Sequence, residues 1–431
     1  MKTFFAFLAT ACACGGASAG QATIEFLPEG FLLSGLSFDG TAGAGNVVGD
    51  GSFEPFRWAP LGGVVRLGGA TVPVLGNGAG APAMSDDGLR LSATILSTDG
   101  RATMGIWDSV VGWIEAMPPL PPDGVEQDSY YGAAWGLSGD GTTVTGHYYS
   151  NWSGPTRARP STWSQTTGMI ALPSNAGVSC RVNASNFDGT IVGGWEDHGG
   201  PWWPTVWRNG VKTNLNDADG GGGGQVRDVS GDGAILAGSE YQESILTRAA
   251  TIWTWNGSAY DMQNIGTLPG TVFNSGQAYF QSIADDGSIA VGSNLYTFSP
   301  GAARDGIVWT PAGGLVNATD YITSLGLSPQ IPADMDIREM GPVSPNGRVI
   351  AGIGLLANSG QFQTFVIHLP PLPCPGDADG SRAVDFVDVL TVLANFGATG
   401  DPYLVGDSDG SGIVDFGDVL TTLANFNAEC P

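Results

Sequence analysis

Lysine is almost missing from this chain. Lys2 and Lys212 are the only two in 431 residues, and all lysines and arginines together make 16 cations against 41 aspartates and glutamates, a formal net charge of −25. A surface of that sign repels phosphate polymers and anionic bilayers, so nucleic acid and acidic membranes are excluded as partners and cations are favoured. Histidine is nearly as scarce: His147, His198 and His368 stand far apart, and neither H-E-x-x-H nor Cys-x-x-Cys occurs. Metal hydrolysis and triad chemistry therefore lack their residues. Beyond the first twenty residues no apolar run has the length of a transmembrane helix. Cysteine is also sparse, with Cys12 and Cys14 near the start, then Cys180, Cys374 and Cys430. No His or Asn constellation accompanies Cys180, which reads as a buried apolar-like thiol.

What the chain does have begins with Lys2, an apolar run from Phe4 to Ala13 and the small residues Ala17-Ser18-Ala19. This pattern predicts a secretory signal over residues 1–19 with cleavage near Gly20. Lipidation at Cys12 or Cys14 is the alternative, although the large aliphatic expected three places earlier is absent. The 68 glycines, 13 tryptophans and a charged fraction of 13% describe a turn-rich, aromatic-rich secreted β protein, and a hydrophobic fraction of 42% is enough to build cores.

From Gln21 to Leu369 the sequence repeats. A tag close to Ser-x-Asp-Gly recurs at Asp39-Gly40, Asp87-Gly88, Asp140-Gly141, Asp188-Gly189, Asp232-Gly233, Asp286-Gly287 and Asn346-Gly347. About twenty residues after each comes a strand-like piece ending in Trp58, Trp107, Trp163, Trp207, Trp253 or Trp309, with Phe365-Val366 in the seventh place. Asp-Gly and Asn-Gly supply the positive φ of tight hairpins, and the flanking pieces are short and β-branched. Repeats of about 50 residues with four short strands are the signature of propeller blades. The expectation is an all-β, seven-bladed β-propeller over residues 20–369. The seventh repeat is one strand short, and Ala22 to Leu27 is the piece available to complete it. These repeats resemble the extracellular His-Ala-Phe (HAF) repeat family in their Asp-Gly turn, Val-Val-Gly strand and Trp-ended strand, although Pro55-Phe56-Arg57-Trp58 lacks the His-Ala-Phe itself. A Pro-rich linker, residues 370–373, follows.

Residues 374–431 hold a duplicated motif. The first copy carries Asp377, Asp379, Ser381, Ala383, Asp385 and Asp388, and the second Asp407, Asp409, Ser411, Ile413, Asp415 and Asp418. These are positions 1, 3, 5, 7, 9 and 12 of a calcium loop, in which alternating side-chain oxygens, one backbone carbonyl and a closing carboxylate surround the ion. Each loop runs into a helical pattern, VDFVDVLTVLANF or VDFGDVLTTLANF, whose apolar stripe is suited to mutual burial. The segment resembles a dockerin, specifically the variant that opens Cys-Pro-Gly-Asp and closes Cys-Pro. The resemblance implies two Ca2+ sites, a small α-helical domain and a cohesin-like or other surface-anchoring protein as partner. It also places Cys374 and Cys430 where a disulfide clasps the two ends. Arg382 replaces the expected glycine at loop position 6, while the second loop keeps Gly412, so the first site should be the weaker. Phe386 and Phe416 open the two helices at equivalent places; each is a candidate core residue or partner contact, with core the expectation.

In the repeat region the densest functional cluster is Trp195-Glu196-Asp197-His198-Gly199-Gly200-Pro201-Trp202-Trp203. Its three indoles and carboxylates suit stacking on a polysaccharide, although Trp207 already fills the repeated position and loop packing explains the extra indoles equally. Trp135, Trp152, Tyr148 and Tyr149 form a similar, smaller surplus. Asp217 and Asp219, ahead of five glycines, read as a flexible loop. No catalytic residue is assigned. The reading is a secreted or cell-surface, non-catalytic binding or scaffold propeller carried by a calcium-dependent docking module; the alternative is an extracellular glycoside hydrolase carried by the same module, whose two carboxylates would leave no local signature.

Overall fold

The computed structural model describes residues 22–431 except 52, 61, 69–79, 118–131, 151–156, 200–201, 216–222, 243, 245, 298–302, 371–374, 380, 382, 400–404, 409–412 and 429–431. The signal segment, most of the linker, Cys374, Cys430, Arg382, Asp409, Ser411, Gly412, Asp217, Asp219 and Trp152 lie outside the described residues. Two compact units emerge, Thr23–His368 and the tail Leu369–Pro431.

The first unit is a β-propeller-type arrangement of four-stranded antiparallel sheets, two of which are joined through a single parallel pair, Arg248 with Gln277. The innermost strands are Phe31–Leu36, Ala83–Met84, Gly132–Leu137, Cys180–Ser185, Gln225–Val229, Gln277–Ile283 and Met335–Val343. Each packs against the next, and the last packs against the first. Closure is covalently economical, because Thr23–Phe26 pairs with Phe362–His368 in the register Thr23 to His368 through Phe26 to Phe365. The last sheet is thus made from both ends of the unit and has no open outer edge at that strand.

Each Asp-Gly or Asn-Gly tag connects an innermost strand to its neighbour. In the first, Ser37 Oγ donates to Asp39 Oδ1 at 3.1 Å and the same oxygen accepts the Thr41 N–H at 2.9 Å. Burial opposes ionisation of Asp39, yet the Thr41 and Ser37 bonds hold its pKa below the ordinary carboxylate value. The tags also touch one another. Phe38 N–H donates to Asp86 O, Asp86 N–H to Gly139 O, Asp140 N–H to Phe187 O, Phe187 N–H to Gly231 O, Asp285 N–H to Pro345 O and Asn346 N–H to Phe38 O, at 2.8 to 3.2 Å. Between Gly231 and Asp285 the carboxylate takes over, with the Gly231 N–H 2.6 Å from Asp285 Oδ1. Turn residues chosen for local reasons therefore also stitch sheet to sheet.

The core lies between successive sheets. Leu33, Phe56 and Trp58 pack with Val349 and Val366 of the closing sheet, and equivalent clusters fill the other interfaces. The repeated tryptophans belong to this packing, with Trp207 and Trp253 fully buried. One detail differs from the sequence reading. Trp309 pairs with Ala290, three residues past the Gly287 tag, whereas the corresponding Ile350 pairs with Ile367. Ile367, not Phe365-Val366, is the seventh-repeat counterpart of the tryptophans. Helix α1, Ala318–Ser324, is an insertion before the last sheet, capped by Asn317 accepting the Thr319 N–H. In the tail, helices α2 (Phe386–Ala394) and α3 (Phe416–Ala424) pack on each other. Among the described residues no helix is long and apolar enough to cross a membrane.

Candidate functional site

In the tail, the two loop-helix copies are built alike. Asp385 Oδ1 accepts the Val387 N–H at 2.6 Å while Asp388 Oδ2 accepts the Asp385 N–H at 2.8 Å; in the second copy Asp415 and Asp418 make the same reciprocal box with Gly417. Asp388 and Asp418, the closing carboxylates, are fully buried, and each reaches back into its loop, to the Asp379 N–H at 3.1 Å and the Ser408 N–H at 2.7 Å. The copies also bond across: Gly376 N–H to Ser408 O and Gly406 N–H to Ala378 O, then Val384 N–H to Ala428 O and Val414 N–H to Ala398 O. Carboxylate oxygens of Asp377, Asp379 and Asp388 lie within 4.8 Å of one another. Burial, with the Asp379 charge adding, pushes the Asp388 carboxyl up despite its backbone donors. Such a group of like charges suits a hard divalent cation; next to it Ser381 Oγ donates to the Ala383 carbonyl at 3.2 Å. In the second loop Asp407 is buried and Ile413 bridges to Thr399.

Phe386 and Phe416 are each 63% exposed, which overturns the expectation that they are core. The apolar stripes are likewise turned outward at Leu390, Leu393, Leu420 and Leu423, while Val392 is buried with Ala378 and Val414, Val419 packing against them, and buried Thr422 donates to Ser408 Oγ. The cause is positional. The buried face must carry the closing Asp388 and Asp418, and the residues four further along, Val392 and Thr422, share that face.

The indole cluster is tied down from within. Trp195 is 7% exposed and stacks on Trp202 at 4.4 Å, while Trp203 stacks on His198 at 3.6 Å. Beneath them Glu196 has no exposed side chain and accepts from Lys212 Nζ at 2.8 Å and from the Asn175 N–H at 2.6 Å, with His198 Nε2 at 2.9 Å. Burial opposes its ionisation, but the Lys212 and Asn175 bonds keep its pKa low. The three tryptophans do not form one platform: Trp195 and Trp202 stack on one face of the sheet, while Trp203, the next strand residue, stacks on His198 on the other. Cys180 is buried, unbonded to another cysteine and donates to the Trp195 carbonyl at 3.0 Å; burial raises its thiol pKa well above the ordinary value.

A site that the motif search missed lies along the axis of the sheet unit. Innermost strands carry a bulge three residues before the tag, and the bulged residue lines a cavity of about 150 Å³. Those residues are Ser34, Trp135, Asn183, Arg227 and Gln281, joined by Pro82, just ahead of Ala83–Met84, and by Pro342 of Met335–Val343. From unit to unit this position changes chemistry, from hydroxyl to indole, amide and guanidinium, and that variation was the available signal. Arg227 Nη1 donates to Gln281 Oε1 at 2.6 Å and the guanidinium lies 4.0 Å from the Tyr279 ring centre. Arg181 stacks 3.5 Å over Trp135 and donates through Nε to Asn183 Oδ1 at 2.7 Å. Burial, with the Arg227 charge adding, pulls the Arg181 pKa down to about 9. Arg248 is lowered for the same two reasons, against the opposing Glu240.

Toward the tags the same cavity is acidic. Asp228 accepts from the Ile283 N–H at 2.9 Å, Ser282 Oγ at 2.8 Å and the Val229 N–H at 2.9 Å, yet its burial pushes the pKa up to about 6. Asp86 is also raised to about 6, by burial first and then by the charges of Asp285, Asp87 and Asp140. Burial raises Asp285 in turn. A second cavity of about 260 Å³ adjoins, sharing Ser34, Pro82, Gln281 and Pro342 and adding Glu339.

No family model matches this chain, and no curated protein matches it in sequence. Among solved structures it is similar to TolB from Acinetobacter baumannii, with 14% identity, a TM-score of 0.40, 65% of this chain covered and 64% of that one. The oligogalacturonate lyase of Vibrio parahaemolyticus gives 13% identity and a TM-score of 0.48, covering 82% and 99%. The β-propeller domain of the Trilobed protease from Pyrococcus furiosus gives 10% and 0.43, covering 78% and 95%. These values assign no activity or ligand to the present chain.

Proposed function

We propose that Thr23–His368 is a seven-bladed propeller that binds a ligand outside the cytoplasm, and that the tail is a dockerin-like module that attaches it, in a calcium-dependent manner, to a cohesin-like or other surface-anchoring protein. The observation that carries this reading is the outward placement of two equivalent apolar stripes, Phe386/Leu390/Leu393 and Phe416/Leu420/Leu423, beside Asp-rich loops, the first of which clusters the carboxylates of Asp377, Asp379 and Asp388. Apolar side chains left in water on both copies of a duplicated element cost free energy unless a partner covers them. Calcium, held by Asp377, Asp379, Ser381, Asp388 and their second-loop counterparts Asp407, Asp409, Ser411 and Asp418, with the carbonyls of Ala383 and Ile413 and with Asp385 and Asp415 reached through water, would neutralise the loops and fix the helix starts. The test is association with the cell-surface fraction, with and without chelator, for the natural chain and for Phe386→Ser with Phe416→Ser. The double variant should keep calcium-dependent helix formation by circular dichroism and lose association. Association that survives chelation refutes the attachment reading.

A polysaccharide hydrolase is the second reading, favoured by the three carboxyls of raised pKa in the axial cavity, Asp86, Asp228 and Asp285. Against it, Asp228 is already held by three donors, two of them backbone N–H groups. Release of reducing sugar from polysaccharides that the protein binds separates the two readings.

A further inference from the structure

We propose that the axial cavity is a binding site for a small hydroxylated carboxylate, a sugar acid, whose carboxylate is received by Arg227. This builds on the binding role proposed for the sheet unit. It is independent of the tail, whose docking is assayed separately.

In a chain with a net charge of −25 and only 16 cationic side chains, unassisted placement of arginines near one another is unfavourable, because acidic partners are plentiful everywhere else. Arg304 shows the ordinary solution, a 2.5 Å pair with Glu339. Arg227 does not follow it. Among the described residues it forms no salt bridge, its one hydrogen-bond partner is the neutral Gln281, and its Nε is buried with no acceptor. A buried donor of this kind costs free energy until an acceptor arrives, and a charged donor costs more. Arg181 and Arg248 stand near enough for the Arg227 charge to disfavour their own. Among the described residues Arg227 is thus the one cationic side chain lining the cavity, set apart from the aspartates at its other end.

The surroundings select among anions. Tyr279 lies against one face of the Arg227 guanidinium and Trp135 against that of Arg181, so ring stacking holds both forks in plane. A planar fork matches a planar carboxylate through two parallel bonds. Around it stand the amide of Gln281, the hydroxyl of Ser282 and the Asp228 carboxylate, which is already engaged by Ser282, Ile283 and Val229, and the far end of the cavity offers the Asp86 and Asp285 carboxylates as acceptors for hydroxyl donors. One end takes a carboxylate and the other takes hydroxyls. The partly open space of about 150 Å³ corresponds to roughly five waters, room for one ring, while the adjoining cavity leaves space for a substituent or a second unit.

The test is titration calorimetry of the full chain with D-glucuronate, D-glucose and D-glucose 6-phosphate at low ionic strength. Glucuronate should bind saturably and glucose should not. Arg227→Gln should weaken glucuronate binding about tenfold or more, and Arg227→Lys, which keeps the charge without the fork, should fall between. Melting midpoints check that the variants fold. Should Arg227→Gln fail to fold, Gln281→Ala, which releases the guanidinium held at 2.6 Å, serves in its place and should also weaken binding. Equal binding of glucose, tighter binding of the phosphate, or glucuronate affinity unchanged in these variants overturns the assignment.

Discussion

Replacement of Gly40 by alanine tests the way the tags join the sheets. Gly40 has a φ of +70°, and a Cβ built there would sit 2.3 Å from Val349 Cγ2 and 2.4 Å from Val349 Cβ. Val349 belongs to the closing sheet, is 4% exposed and sits in the cluster that joins that sheet to the first. Its side chain is β-branched, with few rotamers to retreat into. Gly51 provides an internal control, since its φ is +72° but nothing lies within 4 Å of its Cβ position. Gly51→Ala should therefore cost only the left-handed backbone penalty, about 1–2 kcal/mol. Gly40→Ala should add an overpacking term of about 1–3 kcal/mol, for a total of about 2–5 kcal/mol. Urea unfolding followed by tryptophan fluorescence reads this unit alone, because every tryptophan lies between Trp58 and Trp309. Combining Gly40→Ala with Val349→Ala should recover part of the loss, giving a favourable coupling of about 1 kcal/mol. Equal destabilisation by Gly40→Ala and Gly51→Ala, with no coupling to Val349, would refute the reasoning.

Removing residues 22–28 should lower the melting midpoint and solubility, because Phe362–His368 loses its outer partner and becomes an exposed edge; an unchanged midpoint contradicts closure by this strand. Calcium titration of the natural chain should resolve two unequal steps, and Arg382→Gly should strengthen only the weaker, since a non-glycine residue is strained by roughly 1 kcal/mol at loop position 6. Equal affinities in the natural chain would exclude that cause. Asp86 has a folded pKa raised from 3.8 to about 6. Its contribution to stability is thus fully present below pH 3.8 and is lost as the pH rises through 6. Asp86→Asn should flatten the fall in fluorescence-detected melting midpoint between pH 4.5 and pH 7, and an unaltered slope would show that Asp86 titrates normally.

Much of the molecule was legible in its residues because the relevant physics is local. A positive φ demands Asp-Gly or Asn-Gly at each hairpin, so the tags announced the strand pairs; the strand missing from the last repeat pointed to Thr23–Phe26; and calcium-loop spacing with helical periodicity located α2 and α3 to within a residue or two. The places where sequence reasoning stopped or erred share one cause, which is that facing and burial are decided by neighbours distant in the chain. Phe386 and Phe416 lie outside because Asp388, Val392 and their second-copy counterparts take the inner face of each helix. Trp195, Trp202 and Trp203 are close together in sequence, but strand alternation sends Trp203 to the face of His198 and of the Glu196 to Lys212 pair, sixteen residues apart, while Trp195 and Trp202 stack on the other face. Arg227 drew no notice in the sequence, since one arginine in a five-residue strand has no motif. It becomes a candidate site only where the bulges of separate sheets converge on one axis, bringing Gln281 and Tyr279, both more than fifty residues away, against a guanidinium that no carboxylate neutralises among the described residues.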